Sequence, residues 1–271
     1  MENPLFPLEI GRFFFLPGRK LGGLFVVAGA ERGVLQRALD LCAKHNARLK
    51  YLSLSVTRNT EEAKTFLIFL DMTDCNVPLE GLGEEIKGLN AVKGIKVIQQ
   101  QAEGFIADNV SNMLLAGGER AIILRKTLCE SFICGIRERF GSAGEVFLYY
   151  NGLEMGMNAA KVHVEMGKKI GLTAPSQICK CMGATIFAAI GFGQMEIEKL
   201  TLNPPYALTQ VYNSFECQLA PETQTKPYSH FIRGIIAGYM TTVLGVKMKV
   251  EEIKCVAKGD PNCIFEAKPE N

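Results

Sequence analysis

Apolar and polar positions along this chain follow two rhythms, one of period two and one near 3.6, and they fall in a regular order over the first hundred residues. Leu24–Ala28 is a short apolar run flanked by glycine, consistent with a buried strand. Over Gly33–Asn46, Val34, Leu35, Ala38, Leu39 and Cys42 share one helical face. Lys50–Val56 sets Leu52, Leu54 and Val56 against Tyr51, Ser53 and Ser55, the alternation of a half-buried strand. Thr65–Asp71 gathers Phe66, Ile68 and Leu70 on one side. Leu79–Leu89 spaces Leu79, Leu82, Ile86 and Leu89 as a second helix, and Gly94–Ile98 closes the series as a strand. The order βαββαβ is the ferredoxin-like, split-βαβ sandwich. Ahead of it, Pro4-Leu5-Phe6-Pro7 and Phe13–Pro17 make residues 1–21 an apolar arm, read as a lead-in strand that caps its own domain.

The pattern changes after Gln101. Ala102–Glu119 is polar and contains glycine, a bridge read as a short helix and linker. Beyond Ala121 the pattern predicts a helix over Leu124–Phe140, a strand over Glu145–Tyr150 and a helix over Asn151–Ile170 that carries Met155, Ala159, Val162 and Met166. A glycine-containing helix follows at Cys179–Phe192, then strands at Gly193–Leu200, Ala207–Cys217 and Lys249–Ala257. The last helix, His230–Leu244, precedes the third of these, and Cys263–Ala267 is a final short strand. The expected class is α+β: an arm (1–21), a βαββαβ domain (22–101), a linker (102–120) and a mixed domain of helices and antiparallel strands (121–271).

Composition narrows the function. The 271 residues are 48% hydrophobic and 21% charged, enough to fill a core. With 30 basic and 28 acidic residues the net charge is +2, and the basic residues are scattered, so neither nucleic acid nor an anionic membrane is an expected partner. The start has no signal-peptide pattern, and the most apolar windows, Gly183–Gly193 and Ile235–Met240, fall short of the roughly 18 residues a membrane span needs. A cytoplasmic protein is expected. Nine cysteines, none in a C-x-x-C pair, fit free thiols or metal ligands in a reducing compartment. Dinucleotide, phosphate-loop, nucleophile-elbow and metalloprotease motifs are all absent. With only three histidines, an enzyme is disfavoured over a binding module.

The candidate chemistry lies in the tail. Cys255 ends one strand, Cys263 begins the next, and Lys258-Gly259-Asp260-Pro261-Asn262 between them is rich in turn residues. A hairpin there can bring two thiolates together, and with a carboxylate and a fourth ligand they suit tetrahedral zinc. Glu252 and Cys255 are three apart, so both can face one ion only if a bulge intervenes. The alternative is a pair of buried free thiols with Glu252 in solvent. Cys42, Cys129 and Cys134 fit apolar helical patterns and read as core. Cys179-x-Cys181 also reads as core thiol, His163 as a partly buried helix residue, and His45 as a cation at a helix C-terminus. Cys217, beside Glu216, is a minor option for the same metal. Apolar side chains of the second half (Phe147, Met155, Phe187, Phe192, Phe215, Phe231 and Tyr239, the last with a hydroxyl) are candidates to line a pocket for an aromatic, acyl or tetrapyrrole-like ligand.

Two resemblances add to this. The segment Val26–Leu35 resembles the opening of ACT domains: it keeps Gly33 and the apolar pair after it, with Ala30 and Arg32 where that family has an acid and a proline. The resemblance implies a module that pairs with its like, and the missing acid argues against an amino-acid ligand. Residues from about Ala121 to Ala267 resemble the 4-vinyl reductase domain, through Gly234-x3-Gly238-Tyr239, Gly245 and Glu252-x2-Cys255-x7-Cys263. That domain takes its name from an enzyme of bacteriochlorophyll synthesis. It is also the effector-sensing part of aromatic-responsive activators, and its fold is shared with vesicle-tethering subunits. In the sensor members the acid and both cysteines bind zinc, which implies a structural zinc on Glu252, Cys255 and Cys263. A third family cysteine, at the start of the last helix, is replaced here by Ser229, itself a fitting helix N-cap, with His230 beside it. His230 or a water is expected in the fourth place. Three functions follow: a metal-braced binding or sensory module for a small hydrophobic ligand, a homodimer by both resemblances; a reductase or its accessory subunit; or an acyl-binding scaffold.

Overall fold

In the computed structural model, residues 7–56, 63–222 and 224–270 are described. The first proline of the arm, Pro4, lies outside them, as does the side chain of Val56. The chain divides into two units, Met1–Ile122 and Ile123–Asn271.

The first unit follows its hydrophobic rhythm closely. Strand β1 (Phe13–Phe15) leads to β2 (Leu21–Gly29), helix α1 (Val34–Lys44), β3 (Arg48–Val56), β4 (Ala63–Asp71), helix α2 (Leu79–Lys87) and β5 (Val92–Gln99). The four long strands form one sheet in the order β3-β4-β2-β5, antiparallel throughout. Strand β2 is central and buried along most of its length, as its apolar run requires. Leu24, Ile68, Leu82 and Ile86 are fully buried between this sheet and the helices. Each such side chain contributes about 1.5–3 kcal/mol by leaving water. His45 follows α1 and ties it to α2, its ring nitrogens 2.8 Å from Asn76 Oδ1 and 3.0 Å from a Glu85 carboxylate oxygen.

The stretch expected as a helix and linker is neither. It holds β6 (Phe105–Ala107), β7 (Leu114–Ala116) and β8 (Glu119–Ala121). Strand β6 pairs with β1, so the arm caps its own unit by bonding to the segment that leaves it. The reason is apolar: Ile106 is 1% exposed among Leu21, Phe69 and Ile98, and Phe14 stacks edge-on against Phe69 with centroids 5.5 Å apart.

In the second unit, α3 (Lys126–Phe140) is followed at once by α4 (Ser142–Lys169), a 28-residue helix. The strand expected at Glu145–Tyr150 is its first turns. Its β-forming side chains are overruled by a second pattern: Gly144, Leu148, Gly152, Gly156 and Ala160 recur every four residues and are all buried. They form a smooth face against α7 (His230–Leu244). A Cβ at Gly152 would lie 2.1 Å from the carbonyl oxygen of Phe231, and one at Gly156 2.0 Å from that of Ile235. Reciprocally, Gly234 lies against Tyr149 and Gly238 against Leu153, where an added Cβ would stand 2.1 and 1.9 Å from the carbonyl oxygens. Both numbers rise together, so the helices run the same way with backbones in direct contact.

Between them in sequence lie α5 (Pro175–Gln177), a π-helical stretch (Ile178–Ala184) and α6 (Thr185–Ala189), where one glycine-containing helix was expected. The wide π turn frees the carbonyl of Ile178, which accepts the Tyr239 hydroxyl at 3.3 Å. Strands β9 (Gln194–Leu202), β10 (Pro205–Tyr212), β11 (Met248–Lys254) and β12 (Cys263–Pro269) make an antiparallel sheet in the order β11-β12-β10-β9. Strand β10 stops before Cys217, which instead opens a short 3₁₀ turn, Cys217–Leu219. Likewise β11 ends at Lys254, ahead of a 3₁₀ turn over Val256–Lys258.

Candidate metal centre and aromatic cluster

Three chain segments meet above the last hairpin. The ladder between β11 and β12 shifts register between Glu252 and Lys254, the irregularity that spacing alone demanded. It turns Glu252 and Cys255 toward the same point. Beyond Cys255, the Asp260 carboxylate accepts the Cys255 amide at 2.8 Å, and Gly259 takes a left-handed conformation at φ 93°. The turn closes so that the Val256 amide donates to Cys263 Sγ at 3.4 Å. Cys255 and Cys263 are both 0% exposed.

The third segment brings Cys217. Its Sγ is 3.6 Å from Cys255 Sγ and 3.4 Å from Cys263 Sγ. Ligand atoms of Cys217, Glu252, Cys255 and Cys263 all lie within 4.8 Å of one another, and all four residues are buried. Ligand distances of 2.0–2.3 Å about a tetrahedral ion give edges of roughly 3.3–3.8 Å. The sulfur–sulfur separations fall in that range. Burial pushes the Glu252 carboxyl up to about 8, with the nearby Cys255 adding to it. Hydrogen bonds from Cys255 and Cys263 favour the thiolate at Cys217, and the same bond holds Cys263 protonated.

Ser229 completes the wall. Its amide donates to one Glu252 oxygen at 3.0 Å and its hydroxyl to the other at 2.9 Å, and the hydroxyl also lies 2.9 Å from Cys217 Sγ. Ser229 precedes α7 as expected of a cap, yet its side chain serves Glu252 and not the helix. His230 points elsewhere: Nε2 is 3.5 Å from Glu145, and Nδ1 accepts from Arg233 at 3.2 Å. Burial, with Arg233 and Arg137 nearby, lowers its pKa to about 4, a neutral imidazole outside the four-residue group. The position expected of His230 is filled by Cys217. Its signal was the neighbouring Glu216, a carboxylate inside an apolar stretch.

Glu216 caps α7. Fully buried, its carboxylate accepts the amides of Phe231 at 3.1 Å and Ile232 at 2.9 Å, where the helix dipole favours a negative charge. It pairs with Arg137 of α3 at 2.6 Å, and Arg137 also donates to the Tyr228 carbonyl and lies over the Tyr228 ring at 3.8 Å. Burial raises the pKa of Glu216, against the pull of Arg137 and the two amides. Glu216→Ala leaves a buried guanidinium unpaired and uncaps the helix. A loss of about 3–5 kcal/mol in chemical denaturation is expected, while Glu216→Gln keeps the cap and costs less.

One residue back, Phe215 enters an aromatic group. The Phe192 ring lies 5.3 Å from Phe187, 6.0 Å from Phe215 and 6.1 Å from Phe231, centroid to centroid. Four of the expected pocket residues are thus together. Tyr239 is buried two turns further along α7, its hydroxyl 3.0 Å from His163 Nδ1. Phe147 and Met155 stand on α4 at 51% and 47% exposure, away from this group. Among the described residues no helix is long and apolar enough to cross a membrane.

Residues 209–269 match the model of the 4-vinyl reductase domain family, so the C-terminal unit carries a domain of that family. Over 127 residues, 46% of this chain, the sequence is 29% identical to the uncharacterized protein MJ1460 of Methanocaldococcus jannaschii, of which the match spans 66%, just under two thirds. Among solved structures, the phenol-responsive sensory domain of the transcription activator PoxR, with phenol, superposes with a TM-score of 0.51 at 17% identity. That match covers 57% of this chain and 79% of that one, and indicates a shared fold. A vinyl-4-reductase family protein from M. jannaschii matches at 23% identity and a TM-score of 0.39, covering 56% of this chain and 85% of that one.

Proposed function

We propose that the C-terminal unit is a sensory or carrier module for a small hydrophobic, preferably aromatic, molecule, braced by a structural zinc ion. The observation that carries this reading is the convergence of Cys217, Glu252, Cys255 and Cys263 at tetrahedral spacing, two residues along the chain from a ring of the aromatic cluster. The donor set fits zinc: three sulfurs and one carboxylate, all buried. An ion there would tie the hairpin to the segment that leads into α7, and so contribute folding energy. The phenol complex of PoxR supports an aromatic ligand, and the rings of Phe187, Phe192, Phe215 and Phe231 offer faces and edges for one. In the N-terminal unit, the element order and antiparallel strand order support an ACT-type module.

Elemental analysis of purified protein is expected to give one zinc per chain. Phenol at a hundred times its Kd adds about 2.7 kcal/mol to the folded state, a rise of roughly 5–10 °C in Tm. Phe192→Ala should lose that rise and keep the zinc. A protein with neither zinc nor a thermal response to aromatics ends this reading.

A further inference from the structure

Helix α4 has a second face that the fold does not use. One side is spent on α7 through Gly152, Gly156 and Ala160. Beside it runs a stripe of exposed apolar residues: Phe147 at 51%, Met155 at 47%, Val162 at 41%, Met166 at 39% and Ile170 at 66% exposure. Ala159 lies at its centre and Asn151 fills the remaining position. The intervals along it are 4, 4, 4, 3, 4 and 4 residues. That is helical spacing for a continuous seam, about 35 Å long at 1.5 Å per residue.

We infer that this seam joins two copies of the chain, with α4 packed antiparallel against α4 about a two-fold axis. Three features single out that occupant. The first is length. A seam of this extent is matched by a helix of equal length, and among the described residues the next longest helices, α3 and α7, have 15 residues against 28 for α4.

The second is symmetry. Under a two-fold axis between Asn158 and Ala159, Phe147 meets Ile170, Asn151 meets Met166 and Met155 meets Val162, because the members of each pair lie equally far from that axis along the helix. An isologous contact needs a surface complementary to itself, and this stripe reads the same from both ends, with the smallest side chain where the helices cross.

The third is charge. Residues 142–155 carry Glu145 and Glu154, a net −2; residues 156–169 carry Lys161, Lys168 and Lys169 against Glu165, a net +2. An antiparallel pair sets each acidic half against a basic one, and a parallel pair sets like on like.

The area is sufficient. Five large side chains at about half exposure leave on the order of 450 Å² of apolar surface. In an interface about 60% apolar, that corresponds to roughly 750 Å² per copy, close to the standard size.

Analytical ultracentrifugation of the full chain at micromolar concentration is expected to show a dimer. Met155→Glu and Val162→Lys should each sediment as monomers, at least tenfold weaker in self-association. Both sites are exposed, so thermal unfolding should stay close to wild type. The double variant Met155→Glu/Val162→Lys places glutamate against the partner's lysine twice and should restore the dimer at low salt. A monomeric wild type overturns the inference. So does a dimer that survives both single variants, or a double variant as monomeric as either parent. Zinc content plays no part in the readout, so failure here is distinct from failure of the metal centre.

Discussion

Gly238→Leu is expected to abolish cooperative unfolding of the C-terminal unit, and Gly238→Ala to cost about 3 kcal/mol or more. A Cβ at residue 238 would stand 1.9 Å from the Leu153 carbonyl oxygen and 2.8 Å from the Met157 amide nitrogen. Both are backbone atoms of a helix, so no rotamer change relieves the overlap. Overpacking a core typically costs 1–3 kcal/mol where side chains can shift. Here the helices themselves must part, and contacts at Gly152, Gly156 and Gly234 loosen with them. At about 2–4 °C per kcal/mol, the alanine variant should melt at least 6 °C below wild type by calorimetry. Gly135 is the control: it lies within α3 with nothing within 4 Å of its added Cβ. Gly135→Ala should be neutral or stabilise by about 0.5–1 kcal/mol, because alanine restricts the unfolded chain at no steric cost. If Gly238→Ala melts with wild type, the two backbones are not in contact.

Removal of the ion by a strong chelator is expected to lower the Tm of the C-terminal unit by roughly 8–16 °C. The figure follows from an ion present at about a thousand times its Kd, which stabilises the state that binds it by about 4.1 kcal/mol. Cys263→Ser should give a similar loss and no further response to chelator, since its Sγ is buried within the group of four. Cys181→Ser should change neither, because Cys181 is exposed on the π turn. Readmission of zinc to the chelated wild type should recover the lost stability. An apo protein that melts with the holo protein would remove the brace from the account.

Much of this architecture was readable from periodicity. The helix over His230–Leu244 and the six elements of the first unit follow from apolar spacing, because each buries one face only. The bulge in β11 was readable too, from parity: residues three apart on a strand face opposite ways, so a shared site demands an extra residue. The first turns of α4 were not. Val146, Phe147, Tyr149 and Tyr150 favour a strand, and the buried face is marked by glycines, which carry no hydrophobic signal. The four-residue recurrence of Gly144, Gly152 and Gly156 was the sign available. Cys217 was missed as the leading ligand for a different reason. It lies on a turn between elements, and no periodicity reports what a turn brings near. Phe147 and Met155 were read as pocket walls because an apolar residue signals contact without saying with what.

Phe215, Glu216 and Cys217 are consecutive, yet the first belongs to the ring cluster, the second to the start of α7 with Arg137, and the third to the thiol centre. A segment with three such anchors has no slack. Substitutions there will be graded by chemistry, but a single inserted or deleted residue would put every anchor out of phase at once. Binding events at the two ends are therefore linked: whatever displaces the phenyl ring alters the grip on the cation, and by the same free energy the cation alters the affinity for the displacing molecule.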